Sequence, residues 1–257
     1  MADTLSQLSG QKFSEARSRV FIRSAIDFFR GQPSQLLPFE AVRATLKLDH
    51  TRYLGLQDVE LDKIVGSVGR YHDFTRRFLP RHDQQGHRWR AVFDLTDSPQ
   101  GFPPVELYRV GEAYFVRDGN HRVSVARANQ SRTIQAYVTE YLTPVDLSAD
   151  DTMDDVLIKA GTANFLQVTG LDKLRPEQDI RLTNPGRYQQ LLRHIADHKY
   201  FKEIECACEI PYEQAAASWY DEVYMPLVGE IRRRRILKDF PGRTEADLYA
   251  WLVLHRA

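Results

Sequence analysis

One segment constrains this chain more than any other: in Tyr114-Phe-Val-Arg-Asp-Gly-Asn-His-Arg-Val-Ser-Val-Ala-Arg127 an apolar strand passes through a polar turn directly into a helix. Ala113 to Val116 are short, apolar and β-prone, Asp118, Gly119 and Asn120 carry turn and cap chemistry, and Val123, Ala126 and Arg127 follow at helical spacing. Asn120 reads as the N-cap. A helix that begins there leaves several N–H groups unpaired and turns its positive dipole end outward, which suits a phosphate. His121 and Arg122 fall in the first turn, where cations oppose the macrodipole, and an anionic ligand would remove that conflict. A plainer reading gives Gly119 to positive φ, Asn120 to capping and Arg122 to a nearby carboxylate. Asp118 would repel a phosphate unless a cation lay between them, so it reads as a metal ligand or a contact to a substrate hydroxyl. His121 reads as a hydrogen-bond partner of phosphate or as a proton shuttle.

The run Val-x-Asp-Gly-Asn-His-Arg-x-x-x-Ala, residues 116 to 126, resembles the signature of the ParB/sulfiredoxin superfamily, in which a Gly-x-(His/Arg)-Arg turn at a helix start holds nucleotide phosphates. Val59 to Arg70 resembles the opening strand and loop of such domains, and Pro104 to Arg109 the strand before the signature hairpin. The resemblance implies a small mixed α/β core over residues 57–145 that binds ATP, ADP or CTP, with Mg2+ at Asp118. Gly119, Asn120, His121 and Arg122 would grip the phosphates, Ser67, Arg70 and Arg77 would close over them, and Asp118, Asp73 and His121 are the candidate catalytic groups. More loosely, the whole chain is similar to bacterial ParB-like proteins with a helical C-terminal extension that are labelled transcriptional regulators.

Departures from the family narrow the chemistry. Sulfiredoxins place a nucleophilic cysteine immediately before the His-Arg pair, where this chain has Asn120, so sulfinic-acid repair is not expected. Free-serine kinases of the superfamily share a similar turn but need a glutamate in the loop after the first strand; Gly66-Ser-Val-Gly69 has no carboxylate, and Asp73 would serve only if the loop folds back. Partition-type ParB proteins follow a related turn with a helix-turn-helix, which is not legible here.

The loop from Gly66 to Arg77 is the second place where chemistry could sit. Its glycines would expose N–H groups, Ser67 offers a hydroxyl, and Arg70, Arg76 and Arg77 can fork onto phosphate oxygens. No Lys-Ser/Thr pair follows the glycines, so this is not a Walker loop. The competing reading is a turn and a basic helix whose arginines pair with Asp73, Asp83 or the acidic segment after Pro144. His82 and His87 lie in what reads as a polar loop, without an evident third metal ligand. Arg232, Arg233, Arg234 and Arg235 form the densest basic run, either a DNA contact or a solvated helix end.

Around these segments the chain divides into a helical arm (1–56), the mixed core (57–145) and a helical C-terminal region (146–257), an α+β protein. Phe13, Ala16, Val20, Phe21, Ala25, Phe28 and Phe29 recur at helical spacing, and a second short helix is expected from Phe39 to Leu46. Asp146 to Asp155 read as a linker or as the first turn of a helix. Trp219, Tyr220, Tyr224, Tyr249 and Trp251 read as core or interface aromatics, and Thr244 with Asp247 as a helix start. Lys plus Arg equals Asp plus Glu at 35 each, so no global charge drives the protein onto DNA or an anionic membrane. No apolar run approaches the ~20 residues of a membrane helix, so a cytoplasmic protein without membrane contact is expected. Cys206 and Cys208 are read as buried or idle thiols, their separation being short for a relaxed disulfide. Three function classes remain: a nucleotide-using enzyme such as an NTPase or small-molecule kinase; a nucleotide-gated regulator, with a homodimer as one form, that contacts DNA or a protein through its helical regions; and a structural or interaction protein with a relict site.

Overall fold

Period-two alternation of apolar residues builds the sheet of this α+β protein, whose computed structural model describes residues 11, 12, 14, 34–81, 86–95 and 102–255. The chain divides into two units, Met1–Met153 and Asp154–Ala257. In the first, strands β1 (Leu37–Pro38), β2 (Thr51–Glu60), β3 (Ile64–Ser67), β4 (Val105–Val110), β5 (Ala113–Asp118) and β6 (Thr133–Tyr141) join helices α1 (Phe39–Leu46), α2 (Gly86–Asp94) and α3 (Asn120–Ala128). The sheet order is β1-β3-β5-β4-β6-β2, with β1, β3 and β5 mutually parallel, β4 antiparallel to β5 and parallel to β6, and β2 antiparallel to β6. Along β6, Ile134, Ala136 and Val138 point to one face, where they meet Val105, Leu107, Tyr114 and Val116 and are covered by Val123 and Ala126 of α3. The opposite face is covered at one end by α1, whose Phe39 lies against Tyr108, Phe115 and Tyr141 with ring centroids 4.8, 5.5 and 5.2 Å away. The helix expected from Phe39 to Leu46 is therefore present and anchors on one fully buried ring. The earlier arm from Phe13 to Phe29 lies outside the described residues, apart from the helical Gln11, Lys12 and Ser14.

Turn chemistry fixes the β4–β5 hairpin. Gly111 takes φ 59° in the connection, and a Cβ there would come within 2.9 Å of the Leu147 backbone, so both conformation and space require glycine. Helix α2 is tied to α3 by Trp89, which stacks on Phe93, packs with Val125 and donates its indole N–H to Ser124 Oγ at 3.0 Å. Two readings of this unit change. The Arg81–Arg88 stretch is not a continuous polar loop, because Gly86 to Arg88 open α2, drawn into a helix by the apolar pair Trp89 and Phe93 one turn apart. Gly66 is not a loop glycine exposing its amide: it lies inside β3, where a Cβ would meet Phe115 at 2.3 Å and the Leu37 carbonyl at 2.5 Å.

The second unit is helical: α4 (Met153–Thr169), α5 (Leu171–Leu174), α6 (Arg187–Cys206), α7 (Tyr212–Trp219), α8 (Met225–Arg233) and α9 (Glu245–Leu254). Asp154 and Asp155 occupy the first turn of α4, where the dipole favours carboxylates. Between α7 and α8 the helix widens into a π turn, Tyr220–Tyr224, and Pro226 follows at the start of α8. Proline lacks an N–H and crowds the carbonyl one turn earlier, and the wider turn relieves both. Trp219, Tyr220, Tyr224 and Tyr249 are core aromatics as expected, whereas Trp251 is 53% exposed. The cysteines also differ from expectation. Cys206 and Cys208 form an exposed disulfide, because left-handed Ala207 (φ 52°) turns the chain at the end of α6 and leaves their Cα atoms 5.2 Å apart, inside the normal range. Among the described residues, no helix is long and apolar enough to cross a membrane.

Candidate phosphate site at the start of helix α3

Strand β5 delivers Asp118 to the edge of the turn, and Gly119 reverses the chain with φ 104°. A side chain at 119 would strike Val105 Cγ1 at 2.6 Å, so the close approach excludes any other residue. The first bond within the helix runs from Val123 N to Gly119 O at 3.0 Å, which leaves the amides of Asn120, His121 and Arg122 ahead of the ladder. The cap differs from expectation: Gly119 occupies the N-cap position with no side-chain cap, and Asn120 is the first helical residue. Positive φ ends the strand one residue sooner than the polar side chain suggested, and Asn120 is turned inward and 91% buried, its Oδ1 without a hydrogen-bond partner among the described residues.

The first-turn cations are not an uncompensated pair. Arg122 folds back over the turn, donating from Nη1 to the carbonyls of Pro103 (2.8 Å) and Pro104 (2.7 Å) and from Nη2 to Asp118. It clamps the entry to β4, and its pairing with Asp118 is the plainer role considered for it. Burial, with Arg70 and Arg88 nearby, pushes the His121 imidazole down to about 4, so near neutral pH it carries no charge against the helix dipole. Its ring meets Phe74 edge-on at 5.3 Å, and both ring nitrogens are buried without partners among the described residues. Three successive orphaned polar atoms at a helix start call for a partner, since each costs roughly 1–3 kcal/mol when left unpaired.

The other expected residues are distributed unevenly. Arg70 and Asp73 pair with each other at 3.2 Å and both bear electrostatically on His121, so the loop after β3 does fold back toward the turn. Ser67 is fully buried at the end of β3 and donates its hydroxyl to the Val116 carbonyl at 3.3 Å, which makes it a strand tie. Arg77 bears on Arg127, whose own guanidinium is buried against the carbonyls of Leu61 and Ile64 and lowered to about 10 by that burial. Arg76 reaches the acidic segment but through backbone, donating to the carbonyls of Ala149 and Asp151 at 2.8 Å each. Asp118 is 68% exposed and paired with Arg122. No group of three His, Cys, Asp or Glu placed to hold a metal occurs among the described residues, and Asp118, held by Arg122, would have to leave its partner to bind Mg2+. His82 lies outside the described residues, and His87 is exposed on α2.

One contributor was missed. Arg88 is exposed in the first turn of α2, has no hydrogen bond or ion pair among the described residues, and its charge acts on His121 in the opposite sense to that of Asp73. Its signal was the neighbouring Trp89, whose burial against Ser124 fixes where Arg88 must stand. In the second unit the basic run is largely neutralised: Arg232 forks onto Glu245 at 2.6 and 2.7 Å, Arg233 and Arg234 share Glu230, and Arg235 alone has no partner among the described residues. The sequence matches no family model and no curated protein.

Proposed function

We propose that the α3 start binds the phosphates of a nucleotide, ATP, ADP or CTP, in the manner of the ParB/sulfiredoxin-like proteins that the signature turn resembles. The observation that carries this is the row of orphaned polar atoms on Asn120 and His121, flanked by Arg70 and Arg88. An imidazole N–H and the leading amides can donate to phosphate oxygens, and the two guanidiniums supply the charge. Asn120 Oδ1, an acceptor, asks in turn for a donor on the ligand. A phosphate ester that also carries a hydroxyl or amino group, as a nucleotide does, meets both demands. If a phosphoryl group moves, Asp73, whose charge bears on His121, would be the carboxylate to take a proton from the acceptor, and Mg2+ would spread charge on the phosphates were Asp118 released by Arg122 to hold it.

Calorimetry of the full chain with ATP, ADP and CTP, with and without Mg2+, tests the reading. Binding that falls at least tenfold in Arg88→Ala and in Asn120→Ala is expected; no heat from any of the three at millimolar concentration would overturn it. Phosphate release or transfer that disappears in Asp73→Asn marks the enzyme. The alternative, a nucleotide-gated DNA-binding regulator, draws on the unpaired Arg235, and a salt-sensitive DNA shift lost in Arg235→Ala without turnover would favour it.

A further inference from the structure

The second unit holds a cavity of about 430 Å³ lined on its apolar side by Ile231, Ile236, Leu248 and Leu252, with Phe240 and Trp251 at its mouth. The two aromatic rings are 46% and 53% exposed, an unusual placement for large apolar groups that line a common hollow. Its polar side is cationic. Arg243 uses Nη1 on Thr183 Oγ1 (2.8 Å) and Asn184 Oδ1 (3.0 Å), and Arg187 uses Nη1 on Gln190 Oε1 (3.0 Å); their remaining nitrogens have no partner among the described residues. The one carboxylate in the lining, Asp247, is already saturated. It is 8% exposed and accepts from Thr183 N, Thr183 Oγ1 and Thr244 N at 2.9, 2.8 and 3.0 Å, so it pairs with neither arginine. Arg187 is moreover the first residue of α6, where its charge opposes the helix dipole.

We infer that this cavity binds a small amphiphilic carboxylate, its apolar body of on the order of 15 non-hydrogen atoms or fewer among Ile231, Leu248 and Trp251 and its carboxylate on Arg187 and Arg243. The volume lies in the range of small-molecule sites, and a single anion offsets two guanidiniums and one helix start together. The site is independent of the phosphate turn, and its ligand is monovalent and largely apolar where that one is multivalent and polar.

The test is calorimetry and thermal melting of the full chain with octanoate, octanol and octylamine, all below their aggregation limits. Octanoate is expected to bind and to raise Tm, with at least tenfold weaker binding of octanol and of octylamine. Arg187→Gln should weaken octanoate at least tenfold with the unliganded Tm kept, and Ile236→Trp, which fills the hollow, should abolish binding. No octanoate heat at millimolar ligand, equal affinity for octanol, or an unchanged affinity in Arg187→Gln would each overturn the inference. If Ile236→Trp does not fold, Arg187→Gln decides alone.

Discussion

Helices α3 and α9 begin in opposite ways. At α9 side chains meet the cap donors: Thr244 Oγ1 accepts from Asp247 N at 3.1 Å, Asp247 returns the bond to Thr244 N, and the same carboxylate reaches across to Thr183. At α3 the cap is a glycine without a side chain, and the two residues after it bury polar atoms that meet nothing among the described residues. Both starts belong to helices of similar length, so the difference is not one of helix architecture. A saturated start stabilises the fold; an unsaturated one costs stability that a ligand can restore.

Four substitutions press on that contrast. The largest effect is expected from Asp247→Ala, which removes the capping box and leaves the Thr183 and Thr244 amides unmet; a loss of about 3 kcal/mol in urea unfolding is expected, and a loss under about 1 kcal/mol would show that α9 owes little to its cap. Next comes the pH response of α3. His121 titrates at about 4 in the fold against 6.5 when free, so the unfolded chain binds the proton first. Its contribution is fully present above pH 6.5 and is lost as the pH falls from 6.5 to 4. Solvent screening of a half-buried ring reduces the amplitude to about 1–2 kcal/mol. His121→Gln should flatten that window in melts taken between pH 4 and 7, and an unchanged slope would locate the response elsewhere. The smallest effect is expected from Asn120→Ala, within about 0.5 kcal/mol of the parent or more stable, because it deletes an unmet acceptor rather than a bond. Thr244→Ala, its counterpart at α9, should cost about 1 kcal/mol.

Strand β5 and helix α3 were legible because local patterning reports burial: the short apolar run Ala113 to Val116 and the helical spacing of Val123 and Ala126 need no knowledge of the rest of the chain. The capping box of α9 was legible for the same reason, since Thr244 and Asp247 act within three residues. What failed depended on distant partners. Gly66 read as a loop glycine, yet it is required by Phe115 and Leu37, which pairing of three parallel strands brings against it. Ser67 was expected at phosphate and instead ties β3 to the Val116 carbonyl. His121 and Arg122 are not the bare cations that their place in the first turn suggests; burial removes the first charge and Asp118 compensates the second. Arg88 enters the site only because α2 packs on α3, and the disulfide at Cys206 depends on the backbone sign of Ala207.

The bond from Trp89 to Ser124 has an optical consequence. The chain's other two tryptophans, Trp219 and Trp251, belong to the helical unit, so Trp89 is the one indole whose emission reports on the sheet unit. It stands one residue from Arg88 and its acceptor stands three from His121. In a chain with Trp219 and Trp251 replaced by phenylalanine, a change in the wavelength of that single emitter would follow events at the α3 start without a label and without a ligand that is itself coloured.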